Sequence, residues 1–283
     1  MTLISKTEYK KKEFETLLDD INKKVSKLQK KFTVLFEDVT AKLANHKIYF
    51  TTHDKLSEFQ GNWLKDYFHN KILRHISPLV ITENTDLRTH LEDNFAYLCI
   101  GIKKDEKTQY CILEVPTDSL DRFLLLPPEK SKKNKHIILL EEIILYCLDD
   151  IFGSFFDYDE LEAYSFKLTR DAEYNLKDEI DQTLLDQLSN TMRQRVRAEP
   201  VRCVYDERMP AAMKSLLRHK LHFTGSTEMQ ASGPIRNFKD FIGFPNVGRA
   251  YLEYEKLPAL TSLRFSQTGS VFEAISQKDI LLY

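Results

Sequence analysis

Glycine is scarce, at 8 of 283 residues, against roughly 7% in ordinary globular chains. Such a chain has few places for the φ-permissive turns that let backbone wrap nucleotide phosphates, and neither G-x-x-x-x-G-K-[ST] nor G-x-G-x-x-G occurs. G-x-S-x-G and H-E-x-x-H are missing too, which removes the nucleophile elbow of the α/β-hydrolases and the paired-histidine zinc helix. The four cysteines, Cys99, Cys111, Cys147 and Cys203, stand far apart in apolar stretches with no C-x-x-C pair. They read as reduced core thiols rather than disulfides or metal ligands. Charge of one sign is also absent: a net charge of −2 with 30% charged residues gives no global field to recruit nucleic acid or a membrane surface. The apolar run at 136–148 is broken by Glu141 and Glu142 and falls short of the ~20 residues a membrane span needs. The N-terminal lysines precede no apolar core with a small-residue cleavage site, so the expected location is cytoplasmic.

What is present begins with a heptad seam. Leu18, Ile21, Val25, Leu28, Phe32, Leu35 and Val39 alternate steps of three and four, with Lys, Asp and Glu between them and no Pro or Gly from 11 to 45. One long helix follows from that spacing. A lone amphipathic helix leaves its stripe in water, and nothing later in the sequence presents an obvious partner, so other helices are expected to cover it.

Beyond residue 45 the pattern turns mixed. A short strand is expected at 46–50, then a helix opened by Thr52 or Asp54 and carrying Leu56, Phe59, Trp63, Leu64, Tyr67 and Phe68. Two apolar runs around KKDEKTQ predict a hairpin over 95–115. A lysine-bearing loop at 126–136 leads into an expected helix over 137–152. Residues 164–169 alternate Tyr164, Phe166 and Leu168 with polar neighbours, which is a strand with one apolar face, ending at Arg170. A helix is expected through Leu176, Ile180, Leu184, Leu188 and Met192, an extended segment with Val201, Cys203 and Tyr205 on one face, a helix over 211–221, and a strand starting near His222. The last third, punctuated by Pro234, Gly243, Pro245, Gly248 and Pro258, reads as loops, a short helix and strands. The order is α+β, without a βαβ repeat.

Eight acids and no Lys or Arg occupy 141–162, but DYDELE places Glu162 where an EF-hand requires glycine, so a helix N-cap is the expectation there and no metal site is assigned. His219 and His222 lie three apart with no further ligand cluster, and read as ordinary surface or pocket histidines. The stronger lead is basic: Arg170, Arg193, Arg195, Arg197, Arg202, Arg208, Lys239 and Arg249 fall near turns and element ends. Guanidinium forks match phosphate oxygens there. Nine acids between Lys167 and Lys220 offer the competing use, surface ion pairs.

YCLDDIFGSFFDYDELEAYSFKLTRDAEYNL, QRVRAEPVRCVYDERMP, NFKDFIGFPNVGRA and the terminal KDILLY together resemble the bacterial polyphosphate kinase family, the long enzymes that work through a phosphohistidine. The resemblance runs from the heptad helix to Tyr283, and a full member is more than twice this long. It implies that residues 1–48 are the last long helix of an N-terminal helical bundle, 49–268 a middle or head domain of mixed strands and helices, and 269–283 the leading edge of a C-terminal catalytic domain. It implies no catalytic residue here, since the family's phosphorylated histidine and its second histidine match none of the eight present. The chain alone is therefore expected to be inactive, with ATP and magnesium belonging to the parent enzyme and no cofactor to this chain. Implied partners are a second head domain in a homodimer, inorganic polyphosphate passing through a basic tunnel, and the catalytic domains, with no nucleic acid and no membrane span. Peripheral membrane association is a further property the parent enzyme suggests. Arg170, Lys239 and Arg249 are the candidate polyphosphate contacts. For Arg170 a local ion-pair network with Asp171 and Glu173 remains the competing use, and for the chain as a whole the alternative is a free-standing polyanion-binding or interaction module with a head-like fold.

Overall fold

A computed structural model describes residues 3–93, 95–129, 133–170, 200–224, 229–233, 235, 239–258, 265 and 269–279, with side chains from Thr16 onward except at 239 and 240. The helix expected through Leu176–Met192 lies outside the described residues, as do Arg193, Arg195 and Arg197. The chain divides into two compact units, Met1–Pro245 and Asn246–Tyr283.

In the first unit, the proline-free and glycine-free start forms one helix, α1 (Leu3–Asn45). It leads into β1 (Ile48–Thr51). The next helix, α2 (Glu58–Tyr67), is opened by Ser57: its hydroxyl accepts from Gln60 N, and the Gln60 side chain returns to the Ser57 N–H. That capping box outcompetes the expected Thr52 and Asp54, which bracket a separate 3₁₀ turn at His53–Lys55, because it satisfies two orphan helix donors at once. Then come β2 (Leu79–Val80), β3 (Ala96–Lys104), β4 (Lys107–Val115), β5 (Phe123–Leu125) and β6 (Lys135–Leu139). The expected helix over 137–152 is shorter: Ile137 and Ile138 are buried strand residues paired in parallel with Phe50 and Thr51. A β-branched pair fits the pleat better than a helix start. Helix begins at Leu140 and breaks at Cys147, giving α3 (Leu140–Tyr146) and α4 (Leu148–Phe152).

DYDELE caps no helix. Its second half opens β7 (Glu160–Arg170), while Asp157 and Asp159 pair with Lys104 across the hairpin end, both at 3.2 Å. β8 (Pro200–Asp206), α5 (Ala211–Lys220) and β9 (Met229–Ser232) complete the regular elements of this unit. His222 does not start a strand; its φ of 56° turns the chain sharply after α5. In the second unit α6 (Val271–Gln277) is capped by Ser270, whose side chain accepts from Glu273 N at 3.1 Å.

A three-stranded sheet has the order β1-β6-β5 and a six-stranded sheet the order β2-β4-β3-β7-β8-β9. One face of the larger sheet carries Leu98, Ile100 and Leu113 against Leu64, Phe68, Ile144 and Phe152 from α2–α4. The opposite face carries Tyr97, Cys99, Phe166, Leu168 and Cys203 against Met213 and Leu217 of α5. The arrangement is helix layers on both sides of an antiparallel-rich sheet, and it is α+β as expected. All four cysteines are buried free thiols, and burial pushes the Cys147 thiol up to about 12. Two glycines serve close approach. A Cβ at Gly61 would strike the Tyr146 hydroxyl, and one at Gly233 would lie 2.6 Å from Thr33 Oγ1, so these positions let α2 and α1 seat at contact distance. Arg122 and Glu141 form a buried two-pronged pair, with Nε donating to Oε2 at 3.2 Å and Nη2 to Oε1, which ties the start of β5 to α3.

The heptad seam is split. Val25 and Phe32 turn toward the larger sheet, and Phe36 meets Phe50 at 5.6 Å and Phe241 at 5.9 Å between ring centres. The chain's own sheet thus covers part of the stripe expected to need foreign helices. Ile21, Leu28, Leu35 and Val39 remain 47–65% exposed. No helix among the described residues is long and apolar enough to cross a membrane.

Candidate functional site

The strand containing Arg170 forms as its alternation demands, with Phe166 and Leu168 at 0% exposure. Register slips between Thr169 and Arg170, which lies opposite Pro200, a residue with no N–H for the ladder. Arg170 sits two residues beyond Leu168 on the same face and is 5% exposed. Its Nη2 donates to the carbonyls of Arg88 and Leu91, both at 2.6 Å, and its Nε stands 3.6 Å from Asp93 Oδ1. These partners come from the segment before β3, far away in sequence.

That segment is itself organised by charge. Asp86 caps the 3₁₀ turn Leu87–Thr89 by accepting from Arg88 N at 3.0 Å, and it pairs with the Arg88 guanidinium at 2.7 Å. These bonds hold the Asp86 carboxyl well below its ordinary range, at about 2. A carboxylate with a depressed folded pKa adds stability that is complete above the unfolded value and is lost as pH falls toward the folded one. The unfolded value is near 3.8. Acid titration should therefore weaken the fold between about pH 4 and pH 2 in the wild type. Asp86→Asn should lack this component, seen as a flatter melting temperature against pH over that interval.

Lys239 begins the 3₁₀ turn Lys239–Gly243. Phe241 and Phe244 anchor the turn, with ring centres 5.0 and 5.6 Å from Phe123. Arg249 belongs to the second unit, partly exposed, with Nη1 donating to the Gly248 carbonyl at 3.3 Å. Gly248 has φ +68°, and its N–H donates to Asn246 Oδ1 at 2.7 Å, so the NVGR turn is preset by its asparagine and glycine. Arg208 is spoken for by Asp206, at 2.9 Å. Among the described residues no group of three or more His, Cys, Asp or Glu side chains is placed to hold a metal ion.

The likeness seen in the sequence has independent counterparts. A family model, the polyphosphate kinase middle domain, matches residues 59–244. The polyphosphate kinase of Vibrio parahaemolyticus is 42% identical over 267 residues, covering 94% of this chain and 38% of that protein. That of Escherichia coli K12 is 42% identical over 269 residues, covering 94% and 39%. The crystal structure of polyphosphate kinase from Porphyromonas gingivalis superposes with a TM-score of 0.71 at 26% identity, covering 98% of this chain and 39% of that one. The fold and the matched segment together define a middle-domain module of mixed strands and helices. This chain belongs to the polyphosphate kinase family, and it spans about two fifths of the length of the relatives it matches.

Proposed function

We propose that this chain is the head-region portion of a polyphosphate kinase whose complete form moves the terminal phosphate of ATP through a phosphohistidine onto inorganic polyphosphate. The observation that carries this is the continuous match of 94% of the chain to only 38% of a relative, centred on the middle domain. In this reading residues 1–48 end a helical bundle, 49–268 form the head, and 269–283 begin a catalytic domain. ATP and magnesium act in the complete enzyme, and no residue of this chain is assigned to hold them. The head contributes to dimerisation and to the wall of a polyphosphate tunnel, by electrostatic positioning without proton transfer or nucleophilic attack. In the complete enzyme the location is cytoplasmic, with peripheral membrane attachment.

Within this reading the three candidate contacts separate. Arg170 is a structural clamp, because its donors serve carbonyls inside the protein. Lys239 and Arg249 are the polyphosphate contacts, carried on turns held by aromatic anchors and by the Asn246–Gly248 bond. The purified chain should bind long-chain polyphosphate weakly, with affinity falling roughly tenfold between about 50 and 200 mM salt, since a few screened charge contacts supply it. Arg249→Ala should weaken binding and flatten the salt slope. Binding indifferent to salt and to Arg249 sinks the contact assignment.

A further inference from the structure

Although α1 lies on β8 and β9, it buries none of its own described side chains. From Thr16 to Asn45 each of them is half-buried or exposed, whereas α5 packs the same sheet with Met213 and Leu217 at 0% exposure. Beneath α1 a groove of about 490 Å³ stays open, walled by Val25, Gln29 and Phe32 on the helix and by Arg202, Val204 and Ser232 on the strands. A close-packed contact would leave no such volume.

Four enclosed side-chain polar atoms at this joint have no hydrogen-bond partner: Asn22 Nδ2 and Gln29 Oε1 on the helix, Arg202 Nε and Gln230 Oε1 on the strands. The polar link described across the joint is Gln230 Nε2 donating to Asn22 Oδ1. The four orphans penalise the docked state alone, because lifting the helix gives all of them to water. Apolar cover opposes that penalty only through Val25 and Phe32, both half-buried. The far end of the helix is held differently. Phe36 meets Phe50 and Phe241 edge-on, Thr33 lies against Gly233, and the Leu43 and Ala44 carbonyls accept from His46 and Lys47. Lys47, at φ 65°, then turns the chain into β1, whose Ile48 is 1% exposed.

We propose that α1 is a strap fastened at its Phe36 end, and that its stretch from Asn22 to Phe32 lifts off β8 and β9 as one unit, at a free energy well below that of global unfolding. Once lifted, the stretch does not hold itself as a helix. Lys23, Lys24, Lys27, Lys30 and Lys31 are all exposed and repel one another at spacings of three and four residues, and a short unpacked helix is marginal in water. The lift redirects the part of α1 before Asn22 relative to the head; with residues 1–48 read as the end of a helical bundle, it uncouples bundle from head. That consequence rests on the proposed function, whereas the lift is a property of the joint itself.

Hydrogen exchange of the full chain, read by mass spectrometry, tests the lift. Amides 22–32 should exchange as a block, on the order of a hundredfold faster than those of α5, with 37–45 slower than the block. Thr33→Cys together with Gly233→Cys supplies a lock: a Cβ at Gly233 would lie 3.5 Å from Thr33 Cβ, within disulfide reach, and the four native thiols are buried. Oxidised, the pair should remove most of the difference from α5; reduced, it should exchange like wild type. Gln29→Met, which deletes one orphan acceptor, should slow the block about fivefold and decides the matter should the disulfide not form. Exchange of 22–32 at the rate of α5, or a smooth gradient of rates falling from Leu3 to Asn45 as in simple fraying, overturns the proposal. So does a block unmoved by the closed disulfide or, without one, by Gln29→Met. None of these readings involves ATP or polyphosphate, so a failed polyphosphate titration and a failed lift are separate results.

Discussion

Arg170→Ala is expected to lower the melting temperature by about 6–12 °C and to leave polyphosphate affinity unchanged. The loss follows from stripping a buried cation from two carbonyl acceptors and an acidic neighbour. Unsatisfied buried acceptors and a broken buried charge network together cost about 3 kcal/mol, and each kcal/mol is about 2–4 °C in a unit of this size. Arg170→Lys should recover only part of the loss, because an ammonium does not reproduce the guanidinium fork that spans Arg88 O and Leu91 O. The readouts are a melting curve and a polyphosphate titration on the same preparation. An unchanged melting point with lost binding would reverse the assignment and return Arg170 to the tunnel wall.

The second large effect concerns α1. Asp at both Val25 and Phe32 removes apolar burial from the face of α1 that meets the sheet and should cost about 2–3 kcal/mol, with Lys167 and Arg202 in the same groove offsetting part of the added charge. The protein should melt well below wild type, or α1 should detach and become protease-sensitive. Glu at both Ile21 and Leu35, which are 47% and 52% exposed, should leave the melting point within about 1 °C and reduce self-association instead. Melting together with sedimentation separates the two faces of the helix. If both pairs behave alike, the packing of α1 on the sheet is wrong.

How much of this was legible in the sequence depends on the range of the interaction. The hairpin over 96–115, the strand through Phe166 and Leu168 and the helix over 211–220 follow from local alternation or periodicity, and they stand as read. Ser57 was missed as a cap because the signal sits one turn past the first plausible candidates, and only the reciprocal Gln60 bond distinguishes it. Ile137 and Ile138 read as helix because their apolar run continues into a true helix; their partners are Phe50 and Thr51, far back in the chain. The spacing of α1 reads as one stripe, whereas its partners divide it: strands face Val25 and Phe32, and solvent faces Ile21 and Leu35.

The site followed the same rule. For Arg170 the sequence offers an internal network through its neighbours Asp171 and Glu173, which lie outside the described residues. The described bonds run to residues 79 and 82 positions away, which no local pattern announces. Arg202 stood out in the sequence only as one base among several. Its distinction, a half-buried guanidinium whose Nε is enclosed without a hydrogen-bond partner, exists only once α1 lies across β8.

The proposed function makes this chain a shaping and binding portion of a polyphosphate kinase and leaves phosphoryl transfer to the rest of the enzyme. The most direct measurement is incubation of the purified chain with γ-labelled ATP, magnesium and polyphosphate, followed by base-stable, acid-labile phosphate analysis of the protein. The account predicts no retained label on any of the eight histidines. Stoichiometric acid-labile phosphate on one of them would contradict it.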